Sequence, residues 1–228
     1  MSSRRVSDDR ITVETLKKNA EIETYIKKSN ETLAAIGYTE HGLRHVTLVS
    51  NIAYNVLRHL GHPEREAELA AIAGYIHDIG NVAGRYQHGL SSALLAFQIL
   101  RGLGLPPEEL AVVMAAVGNH EEEYGEAVHP VAAAIILADK SDVHFTRVQN
   151  HDPATFDIHD RVNFAVKHSF LRVEEKEKEI VLELTIDPTT TAVMDYFEIF
   201  LSRMVMCRRA AEFLGSSFKL SINGNRLA

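Results

Sequence analysis

The sequence predicts a mainly α-helical bundle with a small α+β appendage, in the order β-β-α-β, at its C-terminal end. Two patterns predict it. Through Asp152 the apolar residues recur at helical spacing, whereas beyond Pro153 alternation with a period of two flanks one further helical stripe. With 46% hydrophobic residues over 228 positions, the chain is long enough for a substantial core.

Residues 1–10 lack an apolar signal core and read as a loose polar tail. Residues 11–36 read as one or two charged helices with a thin stripe of Leu16, Ile22, Ile26, Leu33 and Ile36. After Gly37-Tyr38-Thr39, His45 heads a fuller stripe of Leu48, Val49, Ile52, Ala53, Val56 and Leu60. Pro63 ahead of Glu64 and Glu66 marks the next helix start, with acids at its positive end. There Leu69, Ile72, Ala73 and Ile76 share one face, His77 continues it, and the helix breaks at Gly80. His88 opens another helix ahead of Ser91, Ser92, Leu95 and Ile99. Leu105-Pro106-Pro107 starts a helix whose stripe of Leu110, Val113 and Val117 ends at His120. After His129-Pro130, Val131, Ala134, Ile135, Ala138 and Asp139 share a face.

The pattern changes after Asp152-Pro153, giving a helical domain over 11–152 and an appendage over 153–228. Ile180, Leu182, Leu184 and Ile186 mark a half-buried strand, with Phe164–Val173 as its partner across the charged Glu174–Glu179 hairpin tip. A long helix carries Val193, Phe197, Phe200, Met204, Cys207, Ala211 and Leu214, a stripe expected to pack on its own sheet. Phe218, Leu220 and Ile222 form the last strand before Asn223-Gly224.

Composition excludes several classes of function. A mean hydropathy of −0.09 and the lack of any long apolar run argue against a membrane protein. The net charge of −7 offers no general surface for long nucleic acid, although a small phosphorylated ligand stays compatible where bound cations invert the local charge. The single cysteine, Cys207, rules out an internal disulfide and a thiolate metal cage, and suits a reducing cytoplasm.

Five helices thus present a histidine or aspartate from the face that should be core: His45, His77-Asp78, His88, His120 and Asp139. An unpaired buried carboxylate costs several kcal/mol, so these groups need partners. For one isolated His-Asp pair a structural hydrogen bond would suffice. Five polar intrusions of one chemical type point instead to a divalent metal. His41, one turn before His45, could join such a site or simply start the helix. Asp142 shares a face with Asp139, and could replace it or orient another ligand. His59, His62, His129, His144, His151, His159 and His168 have no comparable setting and read as structural or surface groups.

In order, His45…His77-Asp78…His88…His120…Asp139 resembles the HD-domain superfamily of metal-dependent phosphohydrolases. The resemblance rests on His45-Val-Thr-Leu-Val49, His77-Asp78-Ile79-Gly80 and Ala138-Asp139-Lys140, and covers residues 38–147. It implies that His45, His77, Asp78 and Asp139 bind one metal. His88 and His120 match the extra histidines of binuclear members, in which the aspartate of the doublet, here Asp78, bridges two ions. The cyclic-dinucleotide phosphodiesterase branch fits poorly. Its paired histidines are replaced by Asn119-His120, and Glu122-Glu123-Tyr124-Gly125-Glu126 contains no Gly-Tyr-Pro element.

The mixed nitrogen and oxygen donors suit one or two ions of iron, manganese, cobalt, nickel or zinc. Such an ion lowers the pKa of bound water from about 16 to about 7, supplying hydroxide without a nucleophilic side chain. Asp78 is the expected catalytic carboxylate, and Arg85 and Lys140 are candidate phosphate-binding residues. The expected activity is hydrolysis of a phosphate ester or anhydride of a small, nucleotide-like molecule. The competing reading is a regulatory module that binds metal and nucleotide without turnover. Homo-oligomerisation is compatible with either.

Overall fold

The computed structural model describes residues 10–227, so the polar tail expected over 1–10 lies, apart from Arg10, outside the described residues. The charged segment that follows is two helices, α1 (Val13–Lys17) and α2 (Ala20–Ala35). Asn19 separates them by capping α2, its side-chain oxygen accepting from the backbone N–H groups of Glu21 and Ile22 at 2.9 and 3.2 Å. Ile22, Ile26 and Leu33 are buried as expected. Ile36 lies past the helix end and is exposed, which removes it from the stripe.

The bundle continues with α3 (Leu43–His59), α4 (Glu64–Ile76), α5 (His88–Leu103), α6 (Pro107–Gly118) and α7 (Pro130–Ser141). In α3 the buried face holds His45, Val46, Val49, Ala53, Val56 and Leu57, which leaves Leu48, Ile52 and Leu60 at its margin. The centre belongs to α7 and to α4 from Leu69 onward, where every residue is buried, as in a helix enclosed by neighbours. Small residues let α3 and α4 cross closely. A Cβ on Gly74 would stand 3.0 Å from Ser50 Cα, and Ser50 Oγ donates to Ala71 O at 2.8 Å.

The α4 helix ends at Ile76 rather than Gly80, and Ile79–Ala83 form a turn of 3₁₀ helix. Gly80 serves a different purpose from stopping a helix. Its N–H donates to Ser92 Oγ at 2.8 Å, and a Cβ there would meet the Ser92 backbone nitrogen at 2.3 Å. Gly80→Ala should therefore push this turn off α5 and destabilise the protein by about 1–3 kcal/mol in urea unfolding, as overpacking does elsewhere.

After α7, a short helix α8 (Ile158–Ala165) precedes strand β1 (Val166–Glu174). The expected strand start at Phe164 is thus corrected. Phe164 and Ala165 finish a helix that Asp157 caps through Asp160 N–H at 2.8 Å. The charged tip leads to β2 (Glu179–Ile186), then α9 (Val193–Phe213), β3 (Ser217–Ile222) and a two-residue β4 (Asn225–Arg226). The sheet order is β1-β2-β3-β4, with β2 and β3 parallel across α9 and the other pairs antiparallel. Asn223 and Gly224 both take positive φ, 52° and 79°, the conformation that a tight two-residue hairpin turn requires.

The appendage does not stand apart. Although α9 covers β2 and β3, it lies more extensively on α7, so its stripe is shared between the sheet and the bundle. The helical and sheet residues form one continuous apolar core. Among the described residues no helix is long and apolar enough to cross a membrane. Within the α9 interface Cys207 is buried, and burial pushes its thiol up to about 12. The thiol should resist alkylation by iodoacetamide at pH 8 in the native protein. Because the folded state holds this proton more tightly, its contribution to stability is full below the ordinary thiol range near pH 9. It is lost as pH rises toward about 12.

Candidate metal centre

The helix ends of the bundle converge on one buried cluster. His45 comes from the first turn of α3, and His77 and Asp78 directly follow α4. His88 is the first residue of α5, His120 follows α6, and Asp139 lies in the last turn of α7. All six are buried, and Asp139 is the most exposed at 8%.

Asp78 stands between two pairs of imidazoles. Its Oδ2 lies 3.3 Å from His77 Nε2 and 3.6 Å from His45 Nε2. Its Oδ1 lies 3.3 Å from His88 Nε2 and 3.6 Å from His120 Nε2. On the first side Asp139 Oδ1 approaches His45 Nε2 at 3.3 Å and His77 Nε2 at 3.8 Å. Within each pair the Nε2 atoms nearly touch, at 3.3 Å for His45 and His77 and 3.0 Å for His88 and His120.

The other ring nitrogens are already committed. His77 Nδ1 faces Gly74 O at 2.8 Å, His120 Nδ1 faces Val117 O at 2.6 Å, and His45 Nδ1 faces Asp142 Oδ2 at 2.6 Å. His88 Nδ1 lies 3.1 Å from Arg85 O and 3.3 Å from Glu121 Oε2. Carbonyl and carboxylate oxygens only accept, so each Nδ1 carries a hydrogen, and in the neutral ring Nε2 then turns a lone pair inward. Four such lone pairs around a carboxylate need positive charge between them. Asp78 Oδ2 shows the same demand, being buried with no hydrogen-bond partner.

The residues therefore fit a divalent ion. Among the described residues, three groups bring their donor atoms within 4.8 Å of one another: His45, His77 and Asp78; His77, His120 and Asp139; and Asp78, His88 and His120. The directions of the pKa shifts agree. Burial alone would raise Asp78, but His77, His120 and His88 hold it well below the carboxylate range. Burial likewise opposes ionisation of Asp139, which Lys140 and His45 more than offset. Burial depresses His120 to about 4, which leaves it neutral and free to ligate at neutral pH. Burial also disfavours charge on His77 and His88, yet neighbouring Asp78 raises both, so the cluster attracts protons in place of another cation.

The outer groups divide by role. Asp142 does not enter the cluster. It takes His45 Nδ1–H, accepts two bonds from Arg44 at 3.2 and 2.8 Å, and lies 3.6 Å from Arg147 Nε. His41 packs edge-on against His45 at 5.4 Å and points Nδ1 to Thr39 O at 2.6 Å. Lys140 is buried with Nζ 2.5 Å from Asp139 Oδ2, which leaves Asp139 Oδ1 for the histidines. Arg85 reaches 3.2 Å from His88 Nε2 and lies over the Tyr38 ring, and both line a cavity of about 500 Å³ that opens onto His88.

Four supporting residues escaped the sequence reading. Asn81 donates to Asp78 Oδ1 at 2.9 Å and fixes that carboxylate, a role its i+3 position makes available. Glu121 accepts from Gly89 N–H and holds His88, and its position beside His120 was the one visible signal. Arg44 and Arg147 gave none, since their partner Asp142 is distant in sequence from Arg44 and Arg147 is buried only by the fold.

Comparison with known proteins bears on the same segment. The HD domain family model matches residues 42–143. The chain is 28% identical to uncharacterized protein MJ1020 of Methanocaldococcus jannaschii, with 74% of this chain and 73% of that protein covered. No solved structure matches. The matched segment begins just before α3 and ends just after α7, so it contains all six clustered residues and excludes the sheet. The match to the HD domain model over residues 42–143 is consistent with the superfamily of metal-dependent phosphohydrolases that the motif order resembles.

Proposed function

We propose that this protein hydrolyses a phosphate ester or anhydride of a small, nucleotide-like molecule. In this reading His45, His77, Asp78 and Asp139 hold one divalent ion, and Asp78, His88 and His120 hold a second. The observation that carries it is the placing of Asp78, whose two oxygens face separate imidazole pairs at 3.3–3.6 Å. When bound, such ions supply Lewis-acid stabilisation of phosphoryl charge and acidify water toward neutral pH.

The chain's own residues do the rest. Asp142 and Glu121 fix the tautomer and orientation of His45 and His88, the usual way a ligand is held ready. Asn81 holds Asp78 so that both its oxygens stay available. Lys140 balances the charge of Asp139 from its far oxygen. Arg85, at the cavity beside His88, pairs with the phosphate.

Protein stripped with chelator and reloaded with manganese, iron, cobalt, nickel or zinc is the material for the test. Phosphate release or diester cleavage over a panel of nucleotides, phosphomonoesters and phosphodiesters is expected with at least one metal, and is lost again on chelation. Saturable nucleotide binding without turnover under every condition would favour the regulatory module instead. Metal titration should saturate at two ions per chain in the wild type and at one in His88→Ala. One ion in both would remove the binuclear form.

A further inference from the structure

The matched domain ends at Val143, yet residues beyond it line the space in front of the cluster. The cavity that reaches His88 is walled by Tyr38, Arg85 and, from α8, His159. A second space of about 290 Å³ shares those three residues and adds His41, Asp157 and, from α9, Arg203. None of the six proposed metal ligands lines this second space. Its lining sets two guanidinium groups and two imidazoles against one carboxylate, and Asp157 already spends an oxygen on Asp160 N–H at 2.8 Å.

Arg203 is held in place without being used up. Its Nε donates to Glu122 Oε1 at 2.6 Å and its guanidinium lies over the Phe200 ring at 4.4 Å. Its two terminal amino groups make no hydrogen bond among the described residues. His159 is exposed with its ring 6.4 Å from that of Phe200, and Arg85 is steadied over Tyr38 at 5.6 Å. In a chain of net charge −7, this recess holds two fixed cations, Arg85 and Arg203, beside the proposed metal centre.

We propose that Arg203 and His159, next to Arg85 on the reacting phosphate, form an anion subsite that holds a second phosphoryl group of the substrate, the one not being cleaved. This rests on the phosphohydrolase reading above and narrows it to compounds carrying two phosphoryl groups, as in a nucleoside diphosphate. The planar guanidinium fork matches phosphate oxygens, and its anchoring on Glu122 and Phe200 limits the entropy lost on binding. The appendage thereby sets substrate choice, while the bundle holds the reacting group.

The test is calorimetry on manganese-loaded protein freed of excess ion, titrated with methylenediphosphonate, a non-hydrolysable diphosphate, and with inorganic phosphate. The diphosphonate is expected to bind wild type at least about tenfold more tightly than phosphate. His159→Ala and Arg203→Gln should each reduce its affinity by about tenfold, the scale of one charge-assisted hydrogen bond. Metal content and phosphate affinity should not change. His159 is exposed, so its replacement decides the matter even if Arg203→Gln, which also breaks the Glu122 bond, unfolds the chain. Equal wild-type affinity for the two anions, or diphosphonate affinity in His159→Ala within twofold of wild type, overturns the subsite. Failure of the phosphohydrolase reading shows separately, as a wild type that keeps the diphosphonate preference yet turns over no substrate.

Discussion

Asp78→Ala is expected to abolish hydrolysis while leaving the protein folded. The substitution removes the one carboxylate shared by both imidazole pairs, and no neighbouring acid is placed to replace it. Asp139 makes its closest imidazole approaches to His45 and His77 and gives its other oxygen to Lys140, and Glu121 is turned to the Nδ1 side of His88. A fall in kcat/KM of about a thousandfold or more follows, or roughly 4 kcal/mol of barrier. Bound metal should fall with it. Folding should survive, because stability comes from the apolar faces of α3 to α7 rather than from the cluster. In metal-free protein Asp78 Oδ2 is a buried atom without a partner, so its removal relieves one cost while losing attraction to His77. The unfolding free energy of the metal-free variant, from urea titration, should therefore stay within about 2 kcal/mol of wild type. Loss of the folded state in Asp78→Ala, with wild-type turnover indifferent to chelation, would make the site structural.

The inner cluster was legible in the sequence because its residues break a rule. Each lies where helical periodicity demands an apolar side chain, so His45, His77, Asp78, His88, His120 and Asp139 stood out before any coordinates. The groups around them break no rule. Asn81 beside a helix end and Glu121 beside a loop look ordinary, and only the tertiary structure aims them at Asp78 and His88. His159 reads as a surface histidine and is one, but the surface it occupies is the wall of a cavity built by three distant segments. Local structure shows the same division. Ile158, Val162 and Ala165 carry the helical spacing of α8, but the segment is too short for periodicity to outweigh the strand pattern that follows. Gly80 reads as a helix stop, whereas its small size is required by the backbone of α5 pressed against it.

Asp142→Ala should be the most destabilising single change near the site, at about 3–5 kcal/mol in metal-free protein. The reason is Arg147, whose guanidinium is only 2% exposed. Its nitrogens donate to Glu40 O at 3.2 and 2.9 Å and to Asp142 O at 2.8 Å, bonds that occupy one hydrogen on each nitrogen but do not balance its charge. The Asp142 carboxylate supplies the countercharge and also takes Arg44 and His45 Nδ1–H. Removing one partner of such a buried network leaves a charge stranded, which costs far more than the network itself is worth. Burial opposes ionisation of Asp142, but Arg147, His45 and Arg44 together hold its pKa well below the carboxylate range. Its contribution is therefore full above the unfolded value near 3.8, and is lost as pH falls through the depressed folded value. Asp142→Asn makes the sign testable. The amide oxygen can still accept from His45, so the variant keeps that hydrogen bond while losing the charge and the second acceptor that Arg44 uses. Its deficit against wild type should be constant from pH 5 to 8 and shrink below pH 4, with metal affinity reduced less than in Asp142→Ala. A deficit that grows on acidification, or an unfolding free energy for Asp142→Ala within about 1 kcal/mol of wild type, would show that Arg147 does not depend on this carboxylate.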